Sequence, residues 1–355
     1  MRIAIVHPFT WVDVRRGGER YAHDLTWWLA KQGHEVDYVT GGPAHSIEAV
    51  DGARIVRLHH RHGERLTGMG VSKLETFGIT ALPWLRRNRY DVVHAFVPSA
   101  AIASRLARQR TVFTAIGHPE AGLSTRDRIL LKRATRASHV TTALSFSAAE
   151  AVEEVTMRAV RVVNPGVRLD VFTADLTPRT GPARVLFPAQ LGEPRKRVDD
   201  LIDAMDKVLD HLPDARMWIG GEGGVVFNYP QRTMMAIDAL GTGSLEEIPQ
   251  RYRDATVTVL PSQDEAFGLV LVESLACGTP VVAAASGGMP EIVTDGVGAL
   301  ARLGDVTDLA DAIIATVKQA ADPETPARCV RHAQRWGWDQ VGPDHLAAYQ
   351  AAIDA

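Results

Sequence analysis

The chain has 355 residues, 46% of them hydrophobic and 23% charged, which is the balance of an ordinary globular protein and too long for one hydrophobic core, so two domains are expected. No apolar run reaches the roughly 18–20 residues needed to span a bilayer, and the opening "MRIAIVHPF" is too short for a leader and stops at Pro8, which points to a cytoplasmic protein. The formal net charge of −3 conceals 24 Lys+Arg against 17 Asp+Glu in residues 1–175 and 15 against 25 in 176–355, an asymmetry that marks one half for an acidic partner or surface.

In chain order, "RIAIVHP" (2–8) predicts a strand and "ERYAHDLTWWLAKQG" (19–33) a helix ending at Gly33. "EVDYVT" (35–40), "RIVRL" (54–58), "DVVHAF" (91–96), "TVFTAI" (111–116) and "HVTTAL" (139–144) predict further strands, with helical patterns between most of them. Short β-branched runs separated by helices predict a parallel sheet covered on both faces. The pattern restarts with "ARVLFPA" (183–189, strand), "VDDLIDAMDKVLDHL" (198–212, helix) and "ARMWIGG" (215–221, strand). It continues through "LEEIPQRYRDA" (245–255, helix), "TVTVLPS" (256–262, strand), "LVLVESLACG" (269–278, helix) and "PVVAA" (280–284, strand). The Pro-, Gly- and Thr-containing "RLDVFTADLTPRTGPA" (168–183) is the linker expected between two similar α/β halves joined near residue 175. "WDQVGPDHLAAYQAAIDA" (338–355) is helical with no strand after it, and crossing back onto the first domain gives it a surface to pack on. Cys277 and Cys329 lie in predicted helices without metal-ligand spacing and read as reduced thiols.

Ligand sites in open parallel sheets form at the carboxyl ends of the strands, where helix N-termini point. The stretch "DEAFGLVLVES" (264–274) stands at such a strand-to-helix turn, with Glu265 before the helix and Glu273 about two turns into it. At ~1.5 Å per helical residue the two carboxylates lie up to roughly 12 Å apart, too far for an acid/base pair across one bond, which works at about 5–10 Å. The spacing suits two carboxylates holding opposite ends of one long ligand, with an anion at the helix N-terminus between them. A nucleotide sugar has that shape.

The E-x7-E form of "EAFGLVLVE" (265–273), followed by "SLACGTPVVAAASGGMPEIV" (274–293), resembles the donor-binding signature of family-4 retaining glycosyltransferases of the GT-B fold. "GGERYAHDLTWWLAKQGHEVDYVT" (17–40) is similar to the family's glycine loop and first helix, "VVNPGVRLDVF" (162–172) to the segment entering its hinge, and "WGWDQVGPDHLAAY" (336–349) to its closing helix. The clamp segment "EPRKRVDDL" (193–201) is most like that of phosphatidylinositol mannosyltransferases.

The resemblance implies two Rossmann-like parallel-sheet domains facing across a cleft: 1–170 for the acceptor, 171–335 for the nucleotide sugar, and a helix 336–355 returning to the first domain. It places the donor sugar hydroxyls on Glu265 and the ribose hydroxyls on Glu273. Backbone N–H groups of Phe267, Gly268, Leu269 and Val270 would meet sugar and diphosphate, Arg195 and Lys196 would clamp the phosphates, and Gly17 and Gly18 would let backbone approach them. It implies a retaining hexosyltransferase with a UDP- or GDP-sugar as co-substrate, no other cofactor, no metal, and a small-molecule, glycan or lipid acceptor.

Two positions depart from the pattern. Ala189-Gln190 stands where the family usually has Gly-Arg, so one phosphate cation is missing. Ile116 stands where the family tends to place a His near the donor sugar; His118, two positions on, either fills that role after a loop shift or leaves it vacant. These departures keep open a second reading, a non-catalytic binding or accessory relative on the same fold. The three histidines of "RLHHRHGERL" (57–66) suit an exposed loop better than a metal site. The helix "TRDRILLKRATRAS" (125–138) carries Arg126, Arg128, Lys132, Arg133 and Arg136, a solvated face by default and peripheral contact with anionic lipid as the alternative. No nucleic-acid reader motif is present, and no nucleic-acid partner is expected.

Overall fold

The computed structural model describes residues 1–11, 13–60, 72–119, 123–177, 181–221 and 229–355, excepting the side chain of Lys73. The chain divides into two compact units, Met1–Gly166 with Trp338–Ala355, and Val167–Gly337.

The first unit runs β1 (Arg2–Val6), α1 (Gly17–Lys31), β2 (Glu35–Gly42), β3 (Ser46–Val50), β4 (Ala53–His59), α2 (Lys73–Arg87), β5 (Val92–Ala95), α3 (Pro98–Leu106), β6 (Thr111–Ala115), α4 (Thr125–Ala137), β7 (Val140–Ala143), α5 (Phe146–Thr156) and β8 (Arg161–Val162). Its sheet has the order β3-β4-β2-β1-β5-β6-β7-β8. Every described pairing in it is parallel except β3 with β4. Ile3, Ala4, Ile5 and Val6 of β1 are each fully buried, as a central strand covered by helices on both faces requires. The antiparallel β3 was not expected. Asp51 and Gly52 both take left-handed φ values, 50° and 83°, and turn the chain between Val50 and Ala53. That is the two-residue hairpin loop for which Asp-Gly is the strongest short signal.

The second unit runs β9 (Arg184–Phe187), α6 (Val198–His211), β10 (Arg216–Ile219), α7 (Gln231–Met235), β11 (Ile237–Ala239), α8 (Glu247–Asp254), β12 (Val257–Leu260), α9 (Leu269–Ala276), β13 (Val281–Ala284), β14 (Gly298–Ala301), α10 (Val306–Ala320) and α11 (Thr325–Ala333). Its sheet, ordered β11-β10-β9-β12-β13-β14, is parallel throughout.

The expected linker is corrected by the structure. Residues 168–177 and 181–183 belong to the second unit, and the chain passes between units at Gly166/Val167 and again at Gly337/Trp338. Val167 donates its N–H to the Trp336 carbonyl at 2.8 Å and bridges Gly337, so the outgoing and returning strands of chain run side by side. A Cβ on Gly166 would lie 2.3 Å from the Trp338 ring, which is why a side chain is excluded there. Composition pointed to the Pro- and Thr-rich stretch, whereas close packing set the boundary some residues earlier.

The last helix, α12 (Trp338–Asp354), is part of the first unit. Trp338 stacks on Trp28 of α1 at 6.0 Å between ring centroids, and a Cβ on Gly342 would fall 2.2 Å from the Trp28 ring. A buried polar chain joins the helix to the sheet. Tyr349 Oη and His94 Nδ1 are 2.9 Å apart, His94 Nε2 and Thr114 Oγ1 2.6 Å, and Tyr21 Oη and His345 Nε2 2.8 Å. Burial pushes His94 well below the ordinary histidine range and His345 to about 4.

These two imidazoles should make the first unit less stable in acid. An unfolded chain takes up a proton on each near pH 6.5, whereas the folded unit holds them neutral, so their contribution is complete above that pH; that of His345 is lost as pH falls towards about 4, and burial of His94 acts in the same direction. Each shifted group changes stability by about 1.4 kcal/mol per pH unit in that window. Urea midpoints should therefore fall steeply between pH 6.5 and 5, and His345→Gln, which keeps a hydrogen-bonding amide, should flatten the slope. An unaltered slope in the variant would remove His345 from this account.

Candidate functional site

In the second unit β9 lies between β10 and β12, so the crossovers on its two sides run in opposite directions and open a crevice at the carboxyl ends of β9 and β12. The segment after β9 holds Arg195 and Lys196; the segment after β12 holds Glu265. Pro194–Lys196 form one 3-10 turn, closed by Lys196 N–H to the Glu193 carbonyl at 2.9 Å and ended by Arg197 at a left-handed φ of 50°. Gln263 N–H donates to the Arg195 carbonyl at 2.8 Å, tying the two segments together.

The side chains meet as well. Lys196 Nζ stands 2.6 Å and Arg195 Nη1 3.2 Å from the same Glu265 oxygen, Oε2, and Arg195 Nη2 reaches Glu193 at 2.9 Å. Lys196 and Glu265 are 13% and 17% exposed while Arg195 is 35% exposed, so the lysine contact is the less screened of the two. Burial raises the Glu265 pKa, but Lys196 and then Arg195 pull it down further, and the carboxyl sits below its ordinary range. The group is thus a carboxylate fixed between two cations.

The Glu265 loop is held in a shape few residues permit. Asp264 adopts a left-handed φ of 48° with its N–H donated to Ser286 Oγ at 2.9 Å, and Gly268 takes φ 106°. Gly288 N–H donates to the Glu265 carbonyl at 2.8 Å, and a Cβ on Gly287 would lie 2.2 Å from that same oxygen. Gly268 leads directly into α9 without a side-chain cap, so the helix start presents backbone N–H groups of the kind that bind anions. Phe267 is buried edge-on to Trp336 at 6.2 Å, and Leu269 and Val270 open the helix. Glu273 is also buried, and Tyr252 Oη of α8 donates to its Oε2 at 3.0 Å. A Cβ on Gly221 would lie 2.2 Å from the Ala189 carbonyl, so the Ala189-Gln190 turn is pressed against the end of β10.

The structure thus brings Glu265, Arg195 and Lys196 into contact and sets Glu273 on its own partner, Tyr252. Sequence reasoning missed Tyr252, Ser286 and the backbone contact of Gly287-Gly288. The glycine pair lies inside the quoted "SGGMPE", which was the signal available for it.

Gly17, Gly18 and His118 are in the first unit. Gly17 and Gly18 open α1, and a Cβ on Gly18 would stand 2.8 Å from Ile116 Cδ1. The departure at Ile116 is therefore an apolar side chain laid over the glycine. His118 Nε2 is 3.1 Å from Ser147 Oγ, and its Nδ1 makes no hydrogen bond among the described residues. Arg126 of α4 pairs with Glu75 at 2.8 Å, while Arg128, Arg133 and Arg136 are exposed. His59 turns to the Pro43 carbonyl and His60 to Thr80 Oγ1 at 2.7 Å; His62 lies outside the described residues. Among the described residues no three His, Cys, Asp or Glu side chains are placed to hold a metal ion, and no helix is long and apolar enough to cross a membrane. Cys277 and Cys329 are buried and form no disulfide.

Two family profiles tile most of the chain: "Glycosyltransferase Family 4" matches residues 15–171 and "Glycosyl transferases group 1" residues 172–336. A D-inositol 3-phosphate glycosyltransferase of Mycolicibacterium smegmatis is 33% identical over 299 residues, 76% of this chain and 64% of that protein. That of Kribbella flavida is 36% identical over 219 residues, 55% of this chain and 51% of that protein. The match therefore spans only half to under two thirds of these relatives' lengths. Among solved structures, sucrose-phosphate synthase from Thermosynechococcus elongatus superposes with a TM-score of 0.80 at 20% identity, covering 98% of both chains. Anabaena HepE in complex with UDP gives 0.73 at 19% identity, covering 99% of this chain and 100% of that one. At such identities the likeness is one of fold. The chain belongs to the family-4 glycosyltransferases, with the two parallel-sheet α/β domains of the GT-B fold.

Proposed function

We propose that this protein moves a sugar from a UDP- or GDP-sugar to an acceptor hydroxyl with retention of anomeric configuration. The observation that carries the reading is the joining of Glu265, Lys196 and Arg195 at the strand switch point of the second unit, beside the uncapped start of α9. A donor diphosphate at that helix start draws Lys196 and Arg195 from Glu265, and the released carboxylate accepts hydrogen bonds from the sugar hydroxyls. Glu273, about one turn into the same helix, takes the ribose. The bond from the anomeric carbon to the phosphate oxygen breaks as the bond to the acceptor oxygen forms on the same face. The acceptor's proton passes to the leaving diphosphate. The two cations stabilise the charge that builds on that diphosphate, so the chain supplies position and electrostatics rather than a nucleophile. No metal or further cofactor is required. Gln190, in place of a second arginine, leaves the diphosphate one cation poorer. The exposed arginines of α4 support a cytoplasmic protein that touches an anionic membrane surface.

Calorimetry with free UDP and GDP tests the donor assignment. Glu273→Ala should weaken the preferred nucleotide by roughly 10- to 100-fold, the effect of losing hydrogen bonds to a charged group, and Glu265→Ala should weaken it less. If Glu265→Ala is the more damaging, the ends are assigned the wrong way round. If neither nucleotide binds the parent protein, the donor reading fails.

A further inference from the structure

Within the first unit, the carboxyl ends of β5 and β6 and the flanking helices α2 and α4 enclose a pocket of about 260 Å³. Phe96 and Phe113, both essentially buried, and Leu130 and Leu131 of α4 provide much of its wall, which is overwhelmingly apolar. Phe96 is itself wedged against Tyr21 at 5.1 Å and His94 at 4.4 Å between centroids, so this part of the wall is rigid.

The charged lining is acidic. Glu75 pairs with Arg126 at 2.8 Å and accepts the Ser72 N–H at 2.6 Å; Asp127 accepts Ser124 Oγ–H at 2.6 Å. Both carboxylates are thus engaged at helix starts, and among the described residues no lysine or arginine lines the pocket. Among the described residues an anionic ligand would meet two carboxylates, with Arg126 already committed to Glu75, whereas a neutral apolar body would bury its surface against the phenylalanines and leucines. A cavity of about 150 Å³ lined by such residues accepts benzene, so this one has room for a body of about ten to fifteen non-hydrogen atoms. His118 also lines it, with a ring nitrogen, Nδ1, that has no partner among the described residues and is suited to a ligand hydroxyl.

We propose that this pocket binds the neutral, apolar body of a hydroxyl-bearing acceptor, and not an anionic polyol phosphate. Calling that molecule the acceptor rests on the glycosyltransferase reading above; the pocket's preference for it does not. The apolar Ile116, where the family tends to carry a histidine, belongs to the same wall.

The test uses the full chain with 2-naphthol as neutral probe, followed by fluorescence, and an inositol monophosphate as competitor. Saturable one-to-one binding of 2-naphthol is expected, not displaced by the inositol phosphate. Leu130→Trp, which fills the pocket, should weaken it about tenfold or more, and Leu130→Met, of similar volume, by no more than about threefold. Melting curves of both variants establish that they fold; if the tryptophan variant does not, the competition result decides. Absence of 2-naphthol binding, displacement by inositol phosphate, or undiminished binding in a folded Leu130→Trp protein would each overturn the proposal. UDP and GDP binding measured on the same samples separates the two readings. Nucleotide binding without 2-naphthol binding defeats the pocket alone, and the reverse defeats the donor reading alone.

Discussion

If the proposed function holds, Lys196→Ala should lower the single-turnover rate of sugar transfer by roughly 10²–10³, the scale of removing one pre-organised charge from a site where charge develops. On the proposed donor reading, the geometry favours Lys196 as the larger contributor of the two cations. Its ammonium is 2.6 Å from Glu265 and 13% exposed, against 3.2 Å and 35% for Arg195. Arg195→Ala should accordingly lose less. Removing Lys196 also removes the stronger of the two charges that hold the Glu265 pKa down, so the acidic limb of the variant's pH–rate profile should move to higher pH. A rate equal to that of the parent protein under single-turnover conditions would take the clamp away from this segment.

Gly287→Ala destabilises the second unit by about 2–4 kcal/mol, from a left-handed backbone combined with overpacking. The glycine sits at φ 58°, and its added methyl would lie 2.2 Å from the carbonyl oxygen and 2.7 Å from the amide nitrogen of Glu265. Both atoms are backbone and cannot swing aside. The melting temperature of that unit should fall by roughly 5–15 °C, and nucleotide affinity should fall with it because Glu265 is displaced. Gly192→Ala is the matched control, in the clamp segment with nothing within 4 Å of its new methyl, and should leave the melting temperature nearly unchanged. Equal behaviour of the two variants in scanning calorimetry would show that the Gly287 contact is not close-packed in solution.

Much of the secondary structure was legible from local pattern. β1, β5, β6, β12 and β13 follow their β-branched runs within a residue or two, because a strand buried on both faces favours apolar and β-branched side chains at most positions. The strands missed were of other kinds. β14 reads "GALA", without a β-branched residue, and is held by pairing with β13. β3 reads "SIEAV", is largely exposed, and depends on the Asp51-Gly52 turn, whose signal was present but unread. The misplaced linker shows the limit of composition, since Pro and Thr mark irregular backbone wherever it lies.

The sequence by itself determined the two α/β units, the E-x7-E spacing on a strand-to-helix turn, and the adjacent cations of "EPRK", because each is a matter of near neighbours along the chain. Only the tertiary structure decided that Lys196 and Glu265, 69 positions apart, form one ion pair, and that Tyr252 donates a hydrogen bond to Glu273. It also decided that Ile116 covers Gly18 and that the chain's last helix locks onto α1 through Gly342 and Trp28. These are contacts between side chains brought together by strand order and close packing. Periodicity along the chain carries no record of which strand lies beside which, and a small residue shows its purpose only when the ring or carbonyl pressed against it is in place.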